Sequence, residues 1–376
     1  MGGTIQKVNI VGMGALGMLF GQPIGEYLSS PGKTSGQPSS IPDAQQPAAA
    51  AKPQSAAAQS QAAKPQSPAA ALPSSAADRG MDDMHAGTGA RLCYVMDVPR
   101  LLRHRQDTYT INGEVIHPTL ISPEEAAADG PADLVLVSVK YPALRAAMDT
   151  MESSIGRDTI IISLMNGVDS EEKLAARFGA DKVLYAIAQG MDAQRYGTDL
   201  RFSVRGQINI GVPRDSPYRE VLEGRLKEVL ALFDASGVKY VLEDDIIRRL
   251  WSKFMLNVGI NQVCMAYDAS FGEALVPGSE EFALVIAAMR EVCLIAQAKG
   301  IDVGEKDVAE YIEILHTLSP DASPSMGQDR KARRPSEVDM FGGTMIRLGQ
   351  ELGIAVPVNE YLVRRIKEIE KVIAAQ

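Results

Sequence analysis

The chain has 376 residues, 45% of them hydrophobic and 23% charged, enough for one large or two ordinary domains with substantial cores. A net charge of −9 without a dominant basic block argues against nucleic-acid binding through phosphates. No apolar run reaches membrane-spanning length, and the N-terminus shows no charged region leading to an apolar stretch and a cleavage site; a cytoplasmic location without a membrane partner is the expectation.

The first expected element is a buried strand, "KVNIVGM", which runs into "GMGALG" and then an apolar helical stretch. In this hexapeptide Gly12 allows a tight turn, Gly14 lets backbone approach a pyrophosphate, and Gly17 permits close packing of helix on strand. Met13, Ala15 and Leu16 complete the turn, and the amides at the helix start would face the phosphates. Such a motif alone is weak evidence, but here it follows a strand and opens a helix. Pro23 falls inside that helix, where the missing backbone donor is expected to kink or shorten it.

Residues 31–89 break the pattern. They contain no Phe, Tyr, Trp or Val, repeat "AAKPQS" at 50–55 and 62–67, and balance their charges. A segment this poor in apolar side chains cannot offset its chain entropy, so a disordered low-complexity insertion is expected. A solvated spacer is the plain reading and a partner-binding arm the alternative. Beyond it comes a second strand, "ARLCYVMD". Its terminal Asp97 lies 80 positions after Gly17, and 21 once residues 31–89 are looped out. That is the spacing of the acidic residue that meets a cofactor ribose, although Asp97 also suits a strand-end turn.

"DLVLVSVK", "DTIIISLMNG", "KVLYAIAQG" and "FSVRGQINIGV" read as further strands, with helical stretches such as "SEEKLAARFG" between several of them. Continuous Val, Ile and Leu runs alternating with helices predict a parallel sheet covered on both faces. From about Asp244 the pattern turns helical, through "DDIIRRLWSKFMLNVGINQVCMAY", "EEFALVIAAMREVCLIAQAKG" and "EVDMFGGTMIRLGQELG". The expectation is an α/β chain: a Rossmann-like parallel-sheet domain over 1–243 and an all-helical domain over 244–376. Cys93, Cys264 and Cys293 lack paired spacing, and His85, His104, His117 and His316 form no ligand cluster, so neither disulfides nor a metal is suggested.

Two polar constellations stand out. Lys253, Asn257 and Asn261 recur at i, i+4 and i+8, which aligns them on one helix face. The stripe is either solvated or a carbonyl site, with the ammonium as proton donor and the amides orienting oxygen groups. Farther on, Ser336 can cap a helix whose first turn carries Glu337, a favourable place for any carboxylate. The following Gly342-Gly343 pair is costly in a helix unless something approaches closely. Lys140 and Asn166 fall at the carboxyl ends of their strands, where open α/β sheets bind ligands.

Together these residues resemble the ketopantoate reductases (2-dehydropantoate 2-reductases). "GMGALG", "SVK", "LMNG", "LWSKFMLNVGINQV", "SPSMGQDRKARRPSEVDMFGG" and "GIAVPVNE" match in order through nearly all the chain outside 31–89. The Lys-x3-Asn-x3-Asn helix and the Ser325-x11-Glu337 pair are far more specific than the glycine motif. The resemblance implies NADPH-dependent reduction of ketopantoate to pantoate, on the route to pantothenate, in a cleft between the two domains. It implies Lys253 as general acid and Glu337 holding the substrate hydroxyl. Asn257 and Asn261 would bind polar groups and Ser325 the carboxylate, while Lys140 and Asn166 would line the cofactor–substrate junction. The chain departs from the family where Asp97 replaces a basic residue for the 2′-phosphate. Asp97 favours NAD, whereas Arg100 or Arg103 can still receive a phosphate, and NADP is expected on family grounds. The expected partner is a small 2-oxoacid, with a homodimer as a candidate assembly. Competing readings are a reductase of another branched 2-oxoacid and a non-catalytic nucleotide-binding regulatory module; the joint presence of Lys253 and Glu337 argues against the latter.

Overall fold

The computed structural model describes residues 4–30 and 89–375. The disorder expected of the insertion concerns residues outside that set, apart from Gly89. Twelve strands are present among the described residues: β1 Lys7–Val11, β2 Arg91–Val95, β3 Tyr109–Ile111, β4 Glu114–Ile116, β5 Thr119–Ile121, β6 Leu134–Val137, β7 Ile160–Ser163, β8 Val183–Gln189, β9 Gln194–Tyr196, β10 Asp199–Arg201, β11 Gln207–Gly211 and β12 Tyr240–Leu242. Eight form one sheet in the order β12-β11-β8-β7-β6-β1-β2-β5.

From β5 to β8 the pairing is parallel throughout, with Val8 opposite Leu92 on one side and Leu134 on the other. The side chains of β6 and β7 are buried along their whole length, as unbroken apolar runs require of a sheet covered on both faces. β11 instead runs antiparallel to β8, and β12 follows it. Its strand is shorter than "FSVRGQINIGV" promises, because Gly206 sits at φ +70° immediately before it. β3, β4, β9 and β10 form a small second sheet that the sequence reading does not contain.

Between the strands run α1 Ala15–Ser29, α2 Val98–His104, α3 Pro123–Ala128, α4 Leu144–Met151, α5 Ser170–Phe178 and α6 Arg219–Ser236. Pro23 neither ends nor shortens α1, which continues to Ser29. The proline ring leaves the Leu19 carbonyl without its helical donor, and the Arg205 guanidinium donates to that oxygen instead. A second Arg205 nitrogen reaches Gln22 Oε1 at 3.2 Å.

The remainder is helical: α7 Ile246–Tyr267, α8 Phe271–Ala274, α9 Glu280–Ala298, α10 Glu305–His316, α11 Ser325–Lys331, α12 Thr344–Leu352 and α13 Pro357–Ala374, with a π-helical turn over Asp339–Gly343. α7 is the hub. It packs against α9, α11 and α13 and also touches β8 and β11, which sets one of its faces against the sheet. Cys93, Cys264 and Cys293 are all buried, and burial pushes the last two thiols up to about 12 and about 11, so they behave as packing residues. Among the described residues no helix is long and apolar enough to cross a membrane.

Candidate active site

Because β1, β2, β6, β7 and β8 are parallel, their carboxyl ends share one side of the sheet. The sequence places "GMGALG", Asp97, Lys140 and Asn166 just past the first four of those ends. The three glycines differ in what confines them. Gly12 has φ +106°, and a side chain there would strike the Ser138 carbonyl. A side chain on Gly17 would strike the Gly12 carbonyl and lie 2.8 Å from Ser138 Oγ, so this glycine brings α1 onto β1. At Gly14 an added Cβ would meet only Ser138 O, at an ordinary 3.5 Å. The protein itself therefore does not require glycine at 14. The open backbone there, followed by amides at the N-terminus of α1, forms a cradle that fits a pyrophosphate.

Asp97 is the N-cap of α2, accepting the Arg100 amide at 2.9 Å, and is exposed beside β1. Both the turn role and the ribose-facing position are thus open to it. Arg100 and Arg103 are exposed on the same short helix.

Lys253 projects from α7 toward the ends of β7 and β8. Its ammonium donates to Asn166 Oδ1 at 3.1 Å and to the Ala188 carbonyl at 2.5 Å. Burial pushes its pKa down to about 8, and only the nearby Glu337 carboxylate opposes that shift. Glu337 is 7% exposed and lies 3.2 Å from Lys140 Nζ. A second buried carboxylate, Asp329, lies 3.5 Å from the same ammonium and is held by Arg334 at 3.0 Å. Lys140 thus crosses from the sheet to the helical part and sits between two acids.

One helical turn along α7, Asn257 Oδ1 accepts from Asn261 Nδ2 at 3.1 Å. Asn261 Oδ1 accepts from Ser325 Oγ at 3.0 Å and from the Met326 amide at 3.1 Å. The stripe is therefore not a solvated face: Asn261 is 3% exposed and ties the start of α11 to α7. Ser336 accepts the Val338 amide at 3.3 Å, and Glu337 sits just ahead of the π-helical turn rather than in the first turn of an ordinary helix. Gly342 answers to packing: a side chain there would collide with Gln262 and Val363. Gly343 meets nothing closer than 3.5 Å.

Sequence reasoning missed Asp329, Arg334 and the Ala188 carbonyl. Asp329 has a readable signal, since it lies one turn after Ser325 on the same short helix. The Ala188 carbonyl has none, because a backbone acceptor is invisible in side-chain patterns.

Comparison with known proteins finds one family over both parts of the chain. The ketopantoate reductase PanE/ApbA family model matches residues 87–215, and its C-terminal model matches 245–370; together they span well over half of the chain. A 2-dehydropantoate 2-reductase of Vibrio cholerae is 28% identical over 243 residues, covering 64% of this chain and 78% of the relative. A PanE/ApbA family ketopantoate reductase from Ralstonia eutropha superposes with a TM-score of 0.68 at 21% identity, over 98% of this chain and 99% of that one. D-mandelate dehydrogenase, solved with NADH and anilino(oxo)acetate, shares the fold at TM-score 0.66 and 18% identity, over 98% and 99% of the two chains. The glycine turn, the helical second half and the two family matches lead to one conclusion: the chain belongs to the ketopantoate reductase family, a family of pyridine-nucleotide-dependent oxidoreductases.

Proposed function

We propose that the protein reduces ketopantoate to pantoate with NADPH, and that Lys253 is the general acid. The observation that carries the reading is the Lys253 ammonium, pointed by Asn166 and Ala188 toward the strand ends and lowered by burial to about 8. A proton donor tuned near neutral pH suits a carbonyl whose oxygen gains negative charge during reduction. The nicotinamide, when bound, supplies the hydride to C2. The backbone of Gly12, Met13, Gly14, Ala15, Leu16 and Gly17 would hold the pyrophosphate.

Lys253 delivers its proton to the C2 oxygen, and Asn166 keeps the ammonium oriented until then. Glu337 accepts from the substrate hydroxyl, which requires Lys140 to share that carboxylate. Asn257, Asn261 and Ser325 are already linked to one another and present a short polar row for the substrate carboxylate. Arg100 and Arg103 would receive the 2′-phosphate despite Asp97, whose carboxylate is engaged with the Arg100 amide. A second reading, reduction of another branched or aryl 2-oxoacid with NADH, is favoured by Asp97 and by the D-mandelate dehydrogenase likeness.

Oxidation of NADPH and of NADH with ketopantoate and with aryl 2-oxoacids, on wild type and Lys253→Ala, tests both. Turnover is expected with NADPH and ketopantoate, and kcat should fall by about 10² or more in the variant. No turnover with either cofactor refutes the enzyme reading, and preference for NADH with an aryl acid selects the second.

A further inference from the structure

Three segments carry the residues that meet at the strand ends: Lys140 after β6, Asn166 after β7, and Glu337 ahead of α12. One carboxylate outside that constellation lies in the second segment and touches the first and the helix that follows the third. Asp169, whose side chain is 6% exposed, closes the loop that begins after β7, three residues beyond Asn166. Its Oδ2 accepts from the hydroxyl of Tyr141, the residue after Lys140, at 2.9 Å. The same oxygen lies 3.5 Å from Nη2 of Arg347, which α12 carries one turn beyond the π-helical stretch. Lys173 completes the cluster, donating to Asp169 at 2.6 Å and to the Tyr141 hydroxyl at 2.6 Å, with its ammonium 4.4 Å from the Tyr141 ring centre. Arg347 is itself steadied by Glu351 at 2.9 Å.

We infer that Asp169 is a positioning residue: its carboxylate clasps the loops after β6 and β7 to each other and to α12, and so fixes Asn166 against the Lys253 ammonium. The inference rests on the proposed role of Lys253 as acid. The outer partners, Lys173 and Arg347, are 40% and 44% exposed, so ion pairs of this kind add little to global stability. Their effect falls on geometry, because Asn166 and Lys140 sit on loops rather than within strands. Slack in the loop after β7 withdraws the Asn166 oxygen from Lys253 and leaves the buried ammonium with one acceptor fewer. That lowers its proton affinity further and misplaces the proton.

The test compares Asp169→Asn and Arg347→Met with wild type, using ketopantoate and NADPH across pH. Asp169→Asn keeps the shape and the Tyr141 hydrogen bond but loses the charge that holds Lys173 and Arg347. We expect kcat to fall about ten-fold with KM for both reactants within about two-fold. The alkaline limb of kcat should move to lower pH by about half a unit. Arg347→Met should shift both in the same direction by less, and Arg347→Lys should recover part of the loss. An unmoved kcat and alkaline limb in both variants overturns the inference, as does a loss of kcat that only follows a lowered melting temperature. If wild type turns over no 2-oxoacid, the functional reading fails by itself and the clasp is judged by amide exchange of the unliganded protein. Faster exchange in both 140–144 and 164–170 of Asp169→Asn supports it, and unchanged exchange in either segment overturns it.

Discussion

A lysine given two neutral acceptors and a buried setting is a different acid from a lysine in water. Lys253 is pushed down to about 8, so it is charged at neutral pH and ready to release its proton. If it is the acid, kcat/KM for reduction stays level below about pH 8 and falls ten-fold per unit above it, as the donor form is lost. A rate that holds to pH 10 would remove Lys253 from that role. Glu171 provides a separate pH signature. It is 1% exposed, accepts from Ser170 Oγ at 2.8 Å, and burial pushes its carboxyl up to about 8. The unfolded chain releases this proton in the ordinary carboxylate range while the folded chain keeps it. Stability from this group is therefore intact at low pH and drains away as pH rises to about 8. Glu171→Gln should abolish that decline and leave the variant more stable at pH 9, on the order of 5 kcal/mol; parallel melting-temperature profiles for the two proteins would contradict it. At this scale the sequence is legible where chemistry repeats along one helix. The i, i+4, i+8 spacing exposes Lys253, Asn257 and Asn261. By contrast, the partners that tie Asp329 and Asp169 to the site lie far along the chain, 189 positions away for Lys140 with Asp329 and 178 for Asp169 with Arg347.

Elements were readable in proportion to their length and apolar content. The buried strands around β1, β6 and β7 and the long helices α7 and α9 follow from their runs. β3, β4, β9 and β10 have three residues each, too few to show a period, and β3 pairs with β10 across some ninety positions, Thr110 opposite Asp199. The π-helical turn at Asp339–Gly343 is equally silent, since its pattern differs from a helix by one residue. Pro23 misleads for a definite reason: the proline rule assumes an orphaned carbonyl, and Arg205 supplies the missing donor. Arg205→Met should therefore cost about 1–2 kcal/mol in urea unfolding, the penalty of an unsatisfied carbonyl. Pro23→Ala restores the amide, so the double variant should regain most of that loss. An equal loss on the proline and alanine backgrounds would mean that Arg205 acts through some other contact.

For the molecule as a whole, the question is whether the first βαβ unit depends on what lies between its helix and its second strand. Everything that defines the unit is internal to the described residues. Five residue pairs join β1 to β2, Tyr94 Oη donates to the Gly17 carbonyl at 3.2 Å, and Gly21 leaves room for the Tyr94 ring beneath α1. The N-terminal family match begins at residue 87, four positions before β2. Counting across the gap recovers Asp97 at the spacing of an uninterrupted unit, and the structure sets it at the end of β2 as the cap of α2. A chain in which residues 31–88 are replaced by a short Gly-Ser turn should then fold, bind its pyridine nucleotide with Kd within about three-fold of wild type, and keep its kcat. Its stability should rise by about 2 kcal/mol, because closing a loop shortened roughly ten-fold removes about three doublings of closure entropy. A collapse of cofactor affinity with the fold intact would refute the spacer reading and assign the segment a direct part in holding the adenosine end of the site.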